Sequence, residues 1–120
     1  MDARLREGIR LFNAGRYFES HESLEDFYLS ADEKHKPFLE GLIQLATACR
    51  IFRDFGEVKG PVRMIYQAII RLENYQPNYL KIRVNDLIRE MESWAKMAEV
   101  DFESVQDQIP KIQLRRFGLF

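Results

Sequence analysis

The residues best suited to chemistry in this sequence, by type and spacing, are His21 and Glu25. They lie four positions apart, so an α-helix would place them on one face. Zinc proteases that carry His-Glu-x-x-His use this spacing to bind the metal with two imidazoles, and the glutamate between them is the general base. Here Glu25 stands at the position of the second histidine. The segment therefore supplies fewer ligands than a zinc site needs.

A third ligand would have to come from Gln44 or from Glu22, which lies about 100° round the helix from His21. An amide is a poor ligand for a transition metal. The sequence also lacks the paired Glu-x-x-His motifs of di-iron bundles and the glycine-rich loops that bind phosphate. We therefore expect no bound metal ion and no other cofactor.

Three interpretations of these polar residues stay open. In the first, they form a buried network that satisfies its own hydrogen bonds, and the protein is a non-catalytic helical interaction or scaffold module. The second is a groove that binds a peptide or small ligand. The third is a small hydrolase-like or metal-assisted enzyme in which His21 and Glu25 are the catalytic acid–base pair. The residues of the network or binding site would be Tyr17, His21, Glu22, Glu25, Tyr28 and Gln44.

Apolar residues that recur every three or four positions predict an all-α fold, a compact bundle of five or six helices. Gly15 and Gly56 end the first and third helices, and Pro37 fits the first turn of the third. The predicted helices cover about residues 2–13, 16–29, 33–55, 62–74 and 84–98, with a loop at 76–83. The third helix is the most apolar and should be central, and the fifth should cover two helical hairpins.

A weak internal repeat with an offset of 41 residues relates the two hairpins, and the first turn resembles a tetratricopeptide turn. The repeat pairs Gly15 with Gly56, Leu24 with Ile65, His21 with Val62 and Glu25 with Tyr66. If the hairpins are equivalent, the helix stripe that carries His21 points into the core.

Length and composition indicate one globular domain in residues 1–108. The chain has 120 residues, 46% of them hydrophobic and 31% charged, with a net charge of −1, which gives no field to attract nucleic acid. The single cysteine, Cys49, lies among apolar residues and should be a buried, inert thiol. This indicates a reducing compartment, and we expect a cytoplasmic protein without a signal peptide or transmembrane segment.

The tail of residues 109–120 mixes basic and apolar side chains. Such a segment can bind a membrane surface, dock on its own bundle or pack on a sister subunit, so a homo-oligomer or a protein or peptide partner stays open. We expect Phe117 and Phe120 to be buried on a protein surface, because together they would otherwise form a sticky patch.

Two segments of the sequence carry a recognisable pattern: the first runs from Phe12 to Glu22 and continues with Glu25 and Tyr28, and the second is 38–46, with its Gly-Leu-Ile-Gln-x-Ala motif. Together they resemble a family of bacterial and archaeal proteins, the domain of unknown function numbered 309. The resemblance extends over about residues 5–87, although the family usually has tryptophan at the position of Tyr28. It implies a small all-helical bundle and no particular activity.

Overall fold

Five α-helices account for most of residues 1–115, the part of the chain that this computed structural model describes. They are α1 (Ala3–Asn13), α2 (Tyr17–Ser30), α3 (Lys36–Phe55), α4 (Lys59–Leu72) and α5 (Val84–Val100). Short 3-10 turns lie at Glu33–His35, Glu73–Tyr75 and Glu103–Val105. The predicted all-α bundle is confirmed. No helix within residues 1–115 is both long and apolar enough to cross a lipid bilayer.

Local signals in the sequence explain where the helices begin and end. The Asp2 carboxylate accepts a hydrogen bond of 2.8 Å from the Arg4 backbone N–H and so caps α1. Gly15 and Gly56 follow α1 and α3 with φ angles of 78° and 68°, the left-handed region that glycine occupies at little cost. A side chain at Gly15 would also collide with the Arg53 guanidinium, which donates to the Gly15 carbonyl oxygen at 3.1 Å.

Helix α3 is central, as its apolar sequence predicts. It packs against α2 on one side and α4 on the other, while α1 packs on α2 and α5 on α4. The core residues Phe38, Leu42 and Leu45 of α3 are fully buried. Gly41 lies where α3 meets α4, and a Cβ atom there would be 2.9 Å from Leu72 Cδ2. The glycine inside α3 therefore permits a close approach of α4.

The segment predicted as a loop at 76–83 contains a small β-hairpin. Strands β1 (Asn78–Tyr79) and β2 (Ile82–Arg83) pair in antiparallel register through a two-residue turn. The turn residues Leu80 and Lys81 have φ angles of 47° and 67°, which non-glycine residues seldom adopt. Neither residue is a turn former, so the sequence carried no hairpin signal.

Residues 109–115 dock on the bundle. Arg83 N–H donates to the Gln113 carbonyl oxygen at 2.9 Å, and Ile82 forms an antiparallel bridge with Leu114. Asn13, the last residue of α1, makes two hydrogen bonds with the backbone of buried Ile112. The tail thus pairs with β2 through a single β-bridge. The predicted burial of Phe117 and Phe120 concerns residues outside the described part of the chain.

We predict that Asn13→Ala destabilises the protein by about 1–3 kcal/mol, because it leaves the Ile112 N–H and C=O groups without partners in a partly buried site. The measurement is the free energy of unfolding in urea. Asn74→Ala is the matched control, since Asn74 is exposed and should change stability by less than about 0.5 kcal/mol. Equal effects of the two substitutions would contradict the proposed anchoring of the tail.

Candidate functional site

Helices α2, α3 and α4 form a face with an open cavity of about 390 Å³, which we call the α2–α4 groove. Its lining consists of Glu25, Tyr28 and Leu29 from α2, Glu40, Ile43, Gln44 and Thr47 from α3, and Met64 and Arg71 from α4. The four residues of α3 recur at i, i+3, i+4 and i+7, so they lie on one side of the helix. The core side of α3 faces away from this groove.

A chain of hydrogen bonds and one ion pair crosses the groove from α2 to α4. The Tyr28 hydroxyl donates to Glu40 Oε1 at 2.9 Å, and Glu40 Oε2 lies 3.5 Å from Arg71 Nε. Arg71 Nη1 donates to Gln44 Oε1 at 2.7 Å, and Gln44 Nε2 donates to Gln67 Oε1 at 2.8 Å. Its hydrogen bond with the Glu40 carboxylate raises the pKa of the Tyr28 phenol. This series of hydrogen bonds fixes α2, α3 and α4 relative to one another at the surface.

The predicted buried network of His21, Glu25 and Gln44 is wrong. His21 Nε2 lies 3.2 Å from Glu25 Oε2, but the two side chains are 32% and 52% exposed. Gln44 bonds to Arg71 and Gln67 instead. The pair is therefore a surface pair at the edge of the groove, and only its Glu25 lines the cavity.

The physical reason is the rotation of α2 about its own axis. Its buried residues are Tyr17, Ser20 and Leu24, so the stripe that carries His21 and Glu25 is turned about 100° away from the core. The inward orientation inferred from the 41-residue repeat is also wrong, since Val62 is buried whereas its counterpart His21 is only half-buried. The repeat itself stays a prediction.

Tyr17 and Glu22 are not brought together with the other predicted site residues. Tyr17 packs edge-on against Phe12 and beneath the Arg53 guanidinium, and burial raises the pKa of Tyr17 to about 12. Glu22 is exposed on α2. Of the predicted set, Glu25, Tyr28 and Gln44 line the α2–α4 groove.

The hydroxyl and thiol groups of this part of the structure are held in other contacts or buried. An imidazole beside a carboxylate can accept a proton, but the nearby hydroxyls of Ser20 and Ser23 bond to the α1 backbone. Cys49 is fully buried, and burial raises the pKa of its thiol. Among residues 1–115 no three His, Cys, Asp or Glu side chains are grouped closely enough to hold a metal ion.

Sequence reasoning missed Glu40, Met64, Gln67 and Arg71. Glu40 precedes Gln44 by four positions on α3, and this spacing could have marked the two as neighbours. The three residues of α4 carry no comparable signal, because their place beside α3 depends on how the second hairpin closes. Two of the five residues in this hydrogen-bonded series, Gln67 and Arg71, were therefore invisible without the tertiary structure.

We predict that Glu25→Ala changes the free energy of unfolding by less than about 0.5 kcal/mol, because the pair with His21 is solvated. The adjacent residue Leu24 is fully buried, and Leu24→Ala should cost about 2–5 kcal/mol. Chemical denaturation of both variants measures the contrast. A loss of several kcal/mol for Glu25→Ala would restore the buried-network interpretation.

We also predict that the purified protein holds no stoichiometric transition metal, because His21 and Glu25 alone supply too few ligands. Elemental analysis after chelator-free purification measures this. A near-equimolar content of zinc, manganese or iron that is lost in His21→Ala would overturn the prediction and favour the interpretation as a metal-assisted enzyme.

The family comparison agrees with the resemblance seen in the residues. The model of a family described as Domain of unknown function (DUF309) matches residues 5–64, which is half of the chain. No sequence among curated proteins matches. The matched stretch contains α1, α2, α3 and the start of α4, and with them Glu25, Tyr28 and Gln44 of the groove, but not Arg71. The chain therefore belongs to the DUF309 family.

Proposed function

We propose that this protein is a helical interaction module that binds a protein partner in the α2–α4 groove. One observation carries the proposal: apolar side chains stay exposed beside polar groups that are already fixed by hydrogen bonds. Grooves of this kind, with apolar lining and a few positioned polar groups, are typical of binding sites.

The apolar part of the surface extends beyond the cavity. Leu29 on the rim is 71% exposed, and Ile43 and Met64 are half-buried in the lining. Phe18 and Phe55 are also exposed, and the Arg50 guanidinium lies 4.5 Å and 5.8 Å from their ring centroids. An exposed apolar cluster of this kind supports a contact surface.

The polar part supplies orientation. Glu40, Gln44 and Arg71 hold one another in place, so little side-chain entropy is lost when a partner binds to their free lone pairs and N–H groups. Arginine, tyrosine and methionine are also residue types enriched at interfaces, and Arg71, Tyr28 and Met64 line this groove.

The class of partner and the cellular location that we propose have separate support. The net charge of −1 favours a protein partner over nucleic acid. A cytoplasmic location is supported by the single cysteine, which is buried as a free thiol.

The test is site-specific photo-crosslinking in cells, with benzoylphenylalanine in place of Leu29. The control position is Val100 on α5, which is 81% exposed and lies away from the groove. We expect a covalent protein adduct from position 29 that is absent from position 100. Met64→Glu should lower its yield about tenfold, because a carboxylate replaces a groove contact. No adduct from position 29, or equal adducts from both positions, would contradict an interaction role for the groove.

A further inference from the structure

The charges on the two walls of the α2–α4 groove identify a partner. We infer that the groove face binds the same face of a second copy of this chain, so that α2 of each copy lies along α4 of the other. This inference rests on the proposed interaction role and names the occupant of that same groove.

Helices α2 and α4, which form the two walls, carry opposite charge, and of their charged residues Glu25 and Arg71 line the cavity itself. Helix α2 contains four carboxylates and neither lysine nor arginine, whereas α4 contains three basic residues and no carboxylate. The acidic residues are Glu19, Glu22, Glu25 and Asp26, and the basic residues are Lys59, Arg63 and Arg71. A partner must therefore present a basic edge to α2 and an acidic edge to α4, which is what a second copy offers.

Several of these charges are open to a partner. Glu22, Lys59 and Arg63 are exposed and have no ion-pair partner within residues 1–115. Glu25 pairs only with His21 in that part of the chain. Glu22 and Glu25 also share one stripe of α2 with the exposed apolar residues Phe18 and Leu29, at i, i+4, i+7 and i+11. The stripe thus combines apolar contact with charge.

Helices α2 and α4 run in the same direction on either side of α3. Tyr28 contacts Glu40 and Phe18 contacts Arg50, so α2 is antiparallel to α3. Helix α4 is also antiparallel to α3, because Arg71 near the end of α4 contacts Glu40 near the start of α3, while Met64 lines the groove with Thr47.

Symmetry then restricts how two such faces can meet. A two-fold axis in the plane of the face and parallel to α3 puts the acidic α2 of one copy on the basic α4 of the other. A two-fold axis across the helices puts α2 on α2 and α4 on α4, where like charges repel. Charge complementarity selects the first arrangement.

The selected arrangement also sets which residues meet, because rotation about an axis parallel to α3 keeps each residue at its height along that helix. Glu22 lies between Phe18 and Glu25, near the height of Thr47, and Arg63 is adjacent to Met64 at the same height. Glu22 of one copy should therefore face Arg63 of the other, and Glu25 should face the stretch of α4 from 67 to 71 in that other copy.

The size of the face indicates a reversible dimer. Helices α2 and α4 have 14 residues each and are about 21 Å long, and with the adjoining length of α3 between them they present roughly 600 Å². Two copies would bury about 1,200 Å², the lower limit for a specific stable interface. We expect dissociation on dilution through the micromolar range.

The experiment uses paired charge reversals of the full chain and sedimentation velocity over a range of concentrations. One variant carries Glu22→Lys with Glu25→Lys, and the other carries Lys59→Glu with Arg63→Glu. Each alone should be monomeric where the parent is dimeric, because the reversed residues then face residues of the same sign across the contact between α2 and α4. An equimolar mixture should recover the dimer, since all the reversed contacts become complementary.

The matched control for the acidic wall is Glu92→Lys with Glu103→Lys, which changes the net charge as much as Glu22→Lys with Glu25→Lys does, at exposed positions outside the groove. It should leave the parent dimer unchanged. A second measurement needs no variant: the dimer of the parent protein should weaken as salt concentration rises, because its selectivity comes from solvent-accessible charges.

The outcomes separate this inference from the proposed function. A parent protein that stays monomeric, with crosslinks from position 29 to proteins of other masses, overturns the second copy as partner and leaves the interaction role standing. A dimer that both reversed variants keep, or that salt leaves unchanged, overturns the arrangement. Absence of both dimer and crosslink overturns the two proposals together. Adducts of dimer mass, with recovery only in the mixture, support both.

Discussion

The hydrogen bond from Ser20 Oγ to the Gly8 carbonyl oxygen, 2.7 Å long and fully buried, fixes how α2 is rotated about its axis. Leu24, one turn along the same stripe, packs so closely on Gly8 that a Cβ atom there would lie 2.7 Å from Leu24 Cδ2. Because these contacts direct one stripe of α2 toward α1, the neighbouring stripe with His21 and Glu25 must face outward. The location of the groove therefore depends on a contact that α2 makes outside the groove, with α1.

The sequence predicted helices well where local signals suffice. Gly15 and Gly56 mark helix ends because glycine adopts the left-handed backbone conformation there at little cost. The many apolar residues of α3 place that helix at the centre of the bundle. The orientation of α2 was not predictable in the same way. Tyr17, Ser20 and Leu24 form one stripe and Phe18, His21 and Glu25 another, with similar polarity, so periodicity alone did not select which one faces the core.

The missed features share a dependence on contacts between distant segments. The hairpin at 78–83 is too short to show alternation, and it is supported by Leu114 and Gln113 from the tail. Arg71 joins Glu40 and Gln44 only after α4 folds back along α3. Polar residues of this type look like ordinary surface charges in the sequence. Their arrangement as one hydrogen-bonded set depends on helix packing that no local sequence pattern encodes.

The net charge of −1 conceals a strong separation of charge. Four carboxylates on α2 and three basic residues on α4 nearly cancel in the total, yet the two helices flank α3 as opposite walls of one groove. The total charge therefore hides a local pattern, which in the proposed dimer selects a partner with the complementary charges at the same spacing. The apolar residues between the walls favour association of any matching surface, and the charges restrict which surface matches. In the proposed dimer, specificity thus arises from the placement of charge on separate helices.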